Sequence, residues 1–114
     1  MKQNRRQAAL FFTILAVAFS AMLYAASAET PDPVLITKGR DLFNAKEGLG
    51  VKFACIMCHK NDKAIKKSSV QKLGDKLPAS INKYITTKAK GKALAANSPE
   101  MQALVAYIRY EHSK

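Results

Sequence analysis

The sequence holds only two cysteines, two histidines and no tryptophan in 114 residues. So few soft donors argue against structural zinc, whose tetrahedral sites need three or four good ligands, usually in two separated pairs. After Cys55, Cys58 and His59 only His112 is left, and the adjacent Cys58 and His59 would strain to face one ion. Apolar–polar alternation is missing on both sides of the cysteines (KFA before, KNDKAIKK after), so the strand–helix frame of a thioredoxin-like dithiol has no support. No internal repeat, low-complexity tract or second domain is recognisable. Acids are scarce too: eight stand against nineteen Lys plus Arg, for a formal net charge of +11.

What is present is concentrated. Both cysteines fall within Ala54-Cys55-Ile56-Met57-Cys58-His59-Lys60, directly followed by one of the two histidines. Two thiols at this spacing reach the two vinyl groups of one porphyrin, and the next imidazole falls under the iron as its proximal ligand. The pattern therefore predicts covalent attachment of a single haem c through Cys55 and Cys58, with His59 on the iron. It also consumes both thiols, leaving none stray in an oxidising compartment.

The N-terminus fits export. Lys2, Arg5 and Arg6 head an apolar run from Ala8 to Ala26, followed by Ala26-Ser27-Ala28 and the polar Glu29-Thr30-Pro31. That is the layout of a secretory signal, so residues 1–28 are read as a cleaved leader and residues 29–114 as one periplasmic domain. An uncleaved leader would be a membrane anchor instead, since the run approaches the ~20 residues that span a bilayer. A domain this small builds a marginal core and leans on a staple, metal or cofactor. The leader takes three of the nineteen basic residues and none of the eight acids, leaving a net +8 on the mature chain. In an exported protein this charge points to acidic protein partners or an anionic membrane, not to nucleic acid. A lysine coat that only keeps the protein in solution is the plainer alternative.

The coarse reading is all-α. Residues 32–46 carry Val34, Leu35, Leu42 and Phe43, with Asp32 as N-cap and Pro33 at the first helical position. Gly39 lies one turn before Phe43, and a glycine inside a helix costs about 1 kcal/mol, which points to a close-packing role. Residues 47–53 read as a loop delivering the chain to the haem, and residues 60–77 as a solvated, lysine-rich loop with short helical turns. Pro78 opens a second helix over 79–89, with Ile81, Tyr84 and Ile85 on one face, and residues 90–97 form a turn carrying Gly91. Ser98 caps a last helix with Pro99 at its start and Glu100 in its first turn. There Met101, Leu104, Val105, Ile108 and His112 form an amphipathic stripe.

Gly39-Arg40-Asp41-Leu42-Phe43, Cys55–His59 and Leu104-Val105-Ala106-Tyr107-Ile108 together resemble the monohaem class I cytochrome c family. The resemblance covers most of residues 36–110. It implies a small helical fold wrapped around a covalently attached haem, whose first and last helices cross with Gly39, Phe43 and Tyr107 at the contact. The second half looks more closely like haem domains of bacterial thiosulfate dehydrogenases and related sulfur-oxidising cytochromes. Leu77-Pro78, Ile81-Asn82, Gly91-Lys92-Ala93-Leu94 and Ser98–Ile108 carry that likeness. Those enzymes supply a distal cysteine from the helix after Leu-Pro. The matching position here is Tyr84, and no cysteine remains for the role.

The second iron ligand stays open at this level. Met101 is the one thioether of the mature chain outside the haem-binding loop, since Met57 lies between the two cysteines. Its place on the last stripe equally fits core packing. Tyr84, His112, a lysine or an open iron are the alternatives. The expected function is single-electron transfer between redox partners, with Lys60, Lys63, Lys66 and Lys67 steering an acidic partner towards the haem edge. The competing expectations are a haem enzyme, or enzyme subunit, of sulfur-compound oxidation, and a haem-based gas sensor or ligand carrier.

Overall fold

Asp32 begins the first helix as the sequence predicts. Its carboxylate accepts a 2.9 Å hydrogen bond from the Val34 amide, and Pro33 occupies the first turn, where its missing N–H costs nothing. The structure, a computed structural model, describes residues 31–112. The expected leader over residues 1–28 lies outside the described residues. Five α-helices follow one another: α1 (Pro33–Asn44), α2 (Cys55–Cys58), α3 (Lys67–Leu73), α4 (Leu77–Thr87) and α5 (Pro99–His112). Single 3₁₀ turns at Glu47–Leu49, Asn61–Lys63 and Gly74–Lys76 join them, and no strand occurs among the described residues. The all-α expectation holds.

The crossing of α1 with α5 organises the core. Gly39 is the point of closest approach: a Cβ there would stand 2.0 Å from the Ala103 carbonyl oxygen and 2.6 Å from Tyr107 Cβ. One turn on, Phe43 is 2% exposed and packs its ring against Tyr107, centroids 5.4 Å apart. Met101, Ala103 and Leu104 of α5 are wholly buried. Ser98 caps α5 as expected, its hydroxyl oxygen accepting from the Met101 amide at 3.2 Å. The buried face of α5 is wider than a single stripe. Ala103 and Tyr107 press on α1, while Leu104 and Ile108 reach the other side of the helix layer.

The 60–77 segment is more ordered than its composition implies. Residues 67–73 form α3, with Val70 buried and Leu73 packed on the core. Two apolar positions among lysines and serines give almost no helical period, so here tertiary burial decides the conformation. The turn at Gly74–Lys76 runs directly into α4, which starts at Leu77 with Pro78 in its first turn and buries Leu77, Ile81 and Ile85.

Candidate cofactor site

The chain reaches the cysteines through a tightly tied approach. Gly50 adopts φ 61°, closing the Glu47–Leu49 turn, and Val51 is buried against Gly91, where an added Cβ would stand 2.6 Å from Val51 Cγ1. Lys52 then donates its amide to the Ala89 carbonyl at 2.8 Å, joining the approach to the end of α4. Asn82, inside α4, fastens the next stretch. Its amide donates to the Leu94 carbonyl at 2.7 Å, and its Oδ1 accepts from the Leu94 amide at 2.8 Å. The sequence pattern carries Asn82 and Leu94 but not their pairing. An Asn in mid-helix, a poor helix former that prefers to bond main chain, was the available signal.

α2 is one turn long, so Cys55 and Cys58 sit at its first and last positions, three residues apart and on one face. His59 ends it, its amide donating to the Cys55 carbonyl at 3.0 Å. Both thiols are free, Cys55 half-buried and Cys58 exposed. The His59 Nδ1 lies 3.4 Å from the Lys63 carbonyl, a long contact that favours a proton on Nδ1 and leaves the Nε2 lone pair available. Burial pushes the Cys55 thiol above its ordinary value, a main-chain hydrogen bond opposes this, and the neighbouring Cys58 adds to the rise. A dithiol catalyst needs the opposite, a thiolate stabilised near neutrality.

Cys55, Cys58 and His59 lie on the wall of a cavity of about 800 Å³, open to solvent on one side. Its depth is apolar: Phe43 comes from α1, Val70 from α3, Ile81 and Ile85 from α4, and Leu104 and Ile108 from α5. An apolar hollow of this size, open to solvent on one side, has room for a large apolar group. A porphyrin would fit these donors, because its own nitrogens fill most of the iron's coordination and the wall places one imidazole beside two thiols. No group of three or more His, Cys, Asp or Glu stands together among the described residues to hold a bare ion.

The proposed second ligands separate clearly. Met101 is wholly buried in the core one helical turn before Leu104 and does not line the cavity. Met57 is 52% exposed and does not line it either. Tyr84 does line it, half-exposed, its ring edge-on to His59 with centroids 6.1 Å apart and planes at 86°. His112 stands behind the wall, 6.2 Å from both the Phe43 and Tyr107 rings, with its Nε2 buried and without a hydrogen-bond partner. Burial pushes the His112 imidazolium below its ordinary value. Glu111 opposes the shift, His59 reinforces it, and a main-chain interaction at Ile65 opposes it more weakly.

Charge is distributed unevenly around the site. Residues 51–97 carry eleven lysines, all exposed, and two aspartates, a net +9 on the part of the chain that forms most of the cavity. The flanking described residues, which supply α1 and α5, carry four basic and five acidic side chains. There Lys38 of α1 approaches Glu100 of α5 at 3.8 Å. None of the described helices is long and apolar enough to cross a membrane. No family model, no curated protein and no solved structure matches the chain.

Proposed function

We propose that residues 29–114 form an exported, periplasmic monohaem c-type cytochrome that carries single electrons between redox partners. The observation that carries this reading is the placement of Cys55, Cys58 and His59 together on the wall of a large, otherwise apolar cavity. Cys55 and Cys58 would hold one haem c by thioethers, and His59 would be its proximal iron ligand. The bound group supplies a one-electron couple. The chain supplies the rest. The tied segments at Lys52–Ala89 and Asn82–Leu94 fix the wall, so little structure has to move when charge changes. Phe43, Ile85, Leu104 and Ile108 exclude water from the deep side and lower the local dielectric, which tunes the potential.

Partner recognition follows from the charge. Lys63, Lys66 and Lys88 line the cavity, and Lys60 follows His59 directly, so an acidic protein surface would be steered towards the site's open side. A role in sulfur-compound oxidation is the second reading. It is favoured by the second-half resemblance, within which Asn82 and Leu94 are hydrogen-bonded to each other. It lacks the third cysteine that the resembling enzymes use.

The test is denaturing electrophoresis of protein matured in a host that attaches haem c. Haem stain should migrate with the wild-type chain, and Cys55→Ala with Cys58→Ala should abolish that band. A mature mass equal to the bare polypeptide would end the reading.

A further inference from the structure

Resting on the haem reading above, we propose that the phenol oxygen of Tyr84 is the second protein ligand of the haem iron, alongside His59. The argument is one of position and lone pairs. Besides the lysines, two other side chains were open as ligands, and neither lines the cavity: Met101 is wholly buried in the core, and His112 packs 6.2 Å from the Phe43 ring. Among the other lining side chains with a donor atom, Asp62 and Lys63 follow His59 within four residues and are tethered to its part of the wall, Ser69 and Ser80 offer only neutral hydroxyls, and Lys66 and Lys88 are ammonium groups. A lysine ammonium has no lone pair until it loses its proton, whereas a phenol oxygen keeps lone pairs in either protonation state; on oxidised iron it would bind as phenolate, its proton passing to solvent through the cavity's open side.

Tyr84 comes from a different element, the middle of α4. Its ring already meets the His59 ring edge-on at 6.1 Å, while half its surface stays out of the core. On α4 it continues a cavity-facing row with Ser80 one turn before and Lys88 one turn after, so the helix presents a polar line to the site between Ile81 and Ile85. α4 is held in place at its far end by the Ala89 carbonyl bond to Lys52, which limits how far Tyr84 can retreat. An oxygen ligand favours oxidised iron, where a thioether favours the reduced form. The carrier would then work at the low end of the c-type range and accept electrons from strongly reducing donors.

The experiment compares wild type, Tyr84→Phe and Met101→Leu as haem-bearing proteins, each first checked by haem stain. Tyr84→Phe keeps the ring and removes only the oxygen. It should change the oxidised absorption spectrum by removing the phenolate-to-iron charge-transfer band, raise the midpoint potential, and bind added imidazole at least about tenfold more tightly. Met101→Leu should leave all three readouts as in wild type. An oxidised spectrum and imidazole affinity unchanged in Tyr84→Phe overturn the proposal, and spectral change in Met101→Leu instead transfers the role to the thioether. Wild-type protein without stained haem removes the underlying reading, which is a different result from a haem-bearing but silent Tyr84→Phe.

Discussion

Replacing Gly39 by alanine tests the packing on which the cavity depends. A Cβ at that point would lie 2.0 Å from the Ala103 carbonyl oxygen, 2.7 Å from its carbon and 2.6 Å from Tyr107 Cβ. These obstacles are main chain and the root of a side chain, so no rotamer change relieves them. Restoring ordinary contact requires α1 and α5 to separate by about 1 Å, since carbon contacts are optimal near 3.5–4.0 Å. A gap of that size forfeits a quarter to a half of each dispersion contact across the crossing. Overpacking of this kind costs about 1–3 kcal/mol, and rigid obstacles place Gly39→Ala at or above the upper end. Alanine's better helix propensity returns about 1 kcal/mol. The net loss is therefore roughly 2–3 kcal/mol. For a domain of this size each kcal/mol moves Tm by about 4–8 °C, so the melt should fall by on the order of 10–20 °C. Far-UV circular dichroism of the haem-bearing protein reads this directly. A melting temperature equal to or above wild type would refute the close approach and with it the α1–α5 geometry that forms the cavity floor.

Other outcomes follow from single features. Asn82→Ala removes both bonds to Leu94 and leaves a half-buried main-chain pair unsatisfied, which should cost about 1–3 kcal/mol in chemical denaturation; an unchanged midpoint would mean that the 88–97 segment does not need the clamp. Charge reversal at Lys63 and Lys66 should slow electron transfer to an acidic partner at low salt, and raising salt past ~0.1 M, where the Debye length is about 10 Å, should slow the wild type similarly. A rate indifferent to both would return these lysines to solubility alone. His112 gives a pH signature. Its imidazolium is depressed below the ordinary 6.5, so the unfolded chain takes up that proton more readily than the folded one. Stability is then complete above pH 6.5 and declines as pH falls below it towards the lower folded value. His112→Gln should flatten the stability slope there, and an identical slope in the variant would assign the dependence to other groups.

What the sequence made legible was local. Asp32 with Pro33 and Ser98 with Pro99 announce helix starts because a cap acts on amides two or three residues away, and both caps form. The Gly39–Phe43–Tyr107 contact came from a family resemblance, and the helices do meet there. α3 reads only as short helical turns in a solvated loop because Val70 and Leu73 are its only apolar anchors, and their burial is decided by α4 and α5, which lie beyond any local window. Met101 illustrates a deeper limit. A residue on an apolar stripe fits a packed core and a cofactor wall equally well in one dimension. Only the fold shows that the cavity begins one turn later, at Leu104. Gly91 is similar: as a turn residue it was visible, but its service as a gap for Val51 and Ile85 was not.

The division of charge follows the division of structure, and this has a consequence for how the protein tolerates its own lysines. α1 and α5 provide the tightest packing and carry nearly balanced charge, with Lys38 and Glu100 bridging them on the surface. The net +9 is borne by residues 51–97, whose lysines are all exposed, so salt screens their mutual repulsion. Repulsion among them therefore falls on the shorter helices and turns around the cavity, not on the α1–α5 clamp. That middle segment is held to itself by directed bonds, Lys52 to Ala89 and Asn82 to Leu94, and by the apolar residues that face the cavity. A large apolar group seated there would add contact to every one of its elements at once. On the proposed haem reading, the group would also help so basic a segment stay folded, and loss of attachment at Cys55 and Cys58 should loosen residues 51–97 before it loosens the α1–α5 pair.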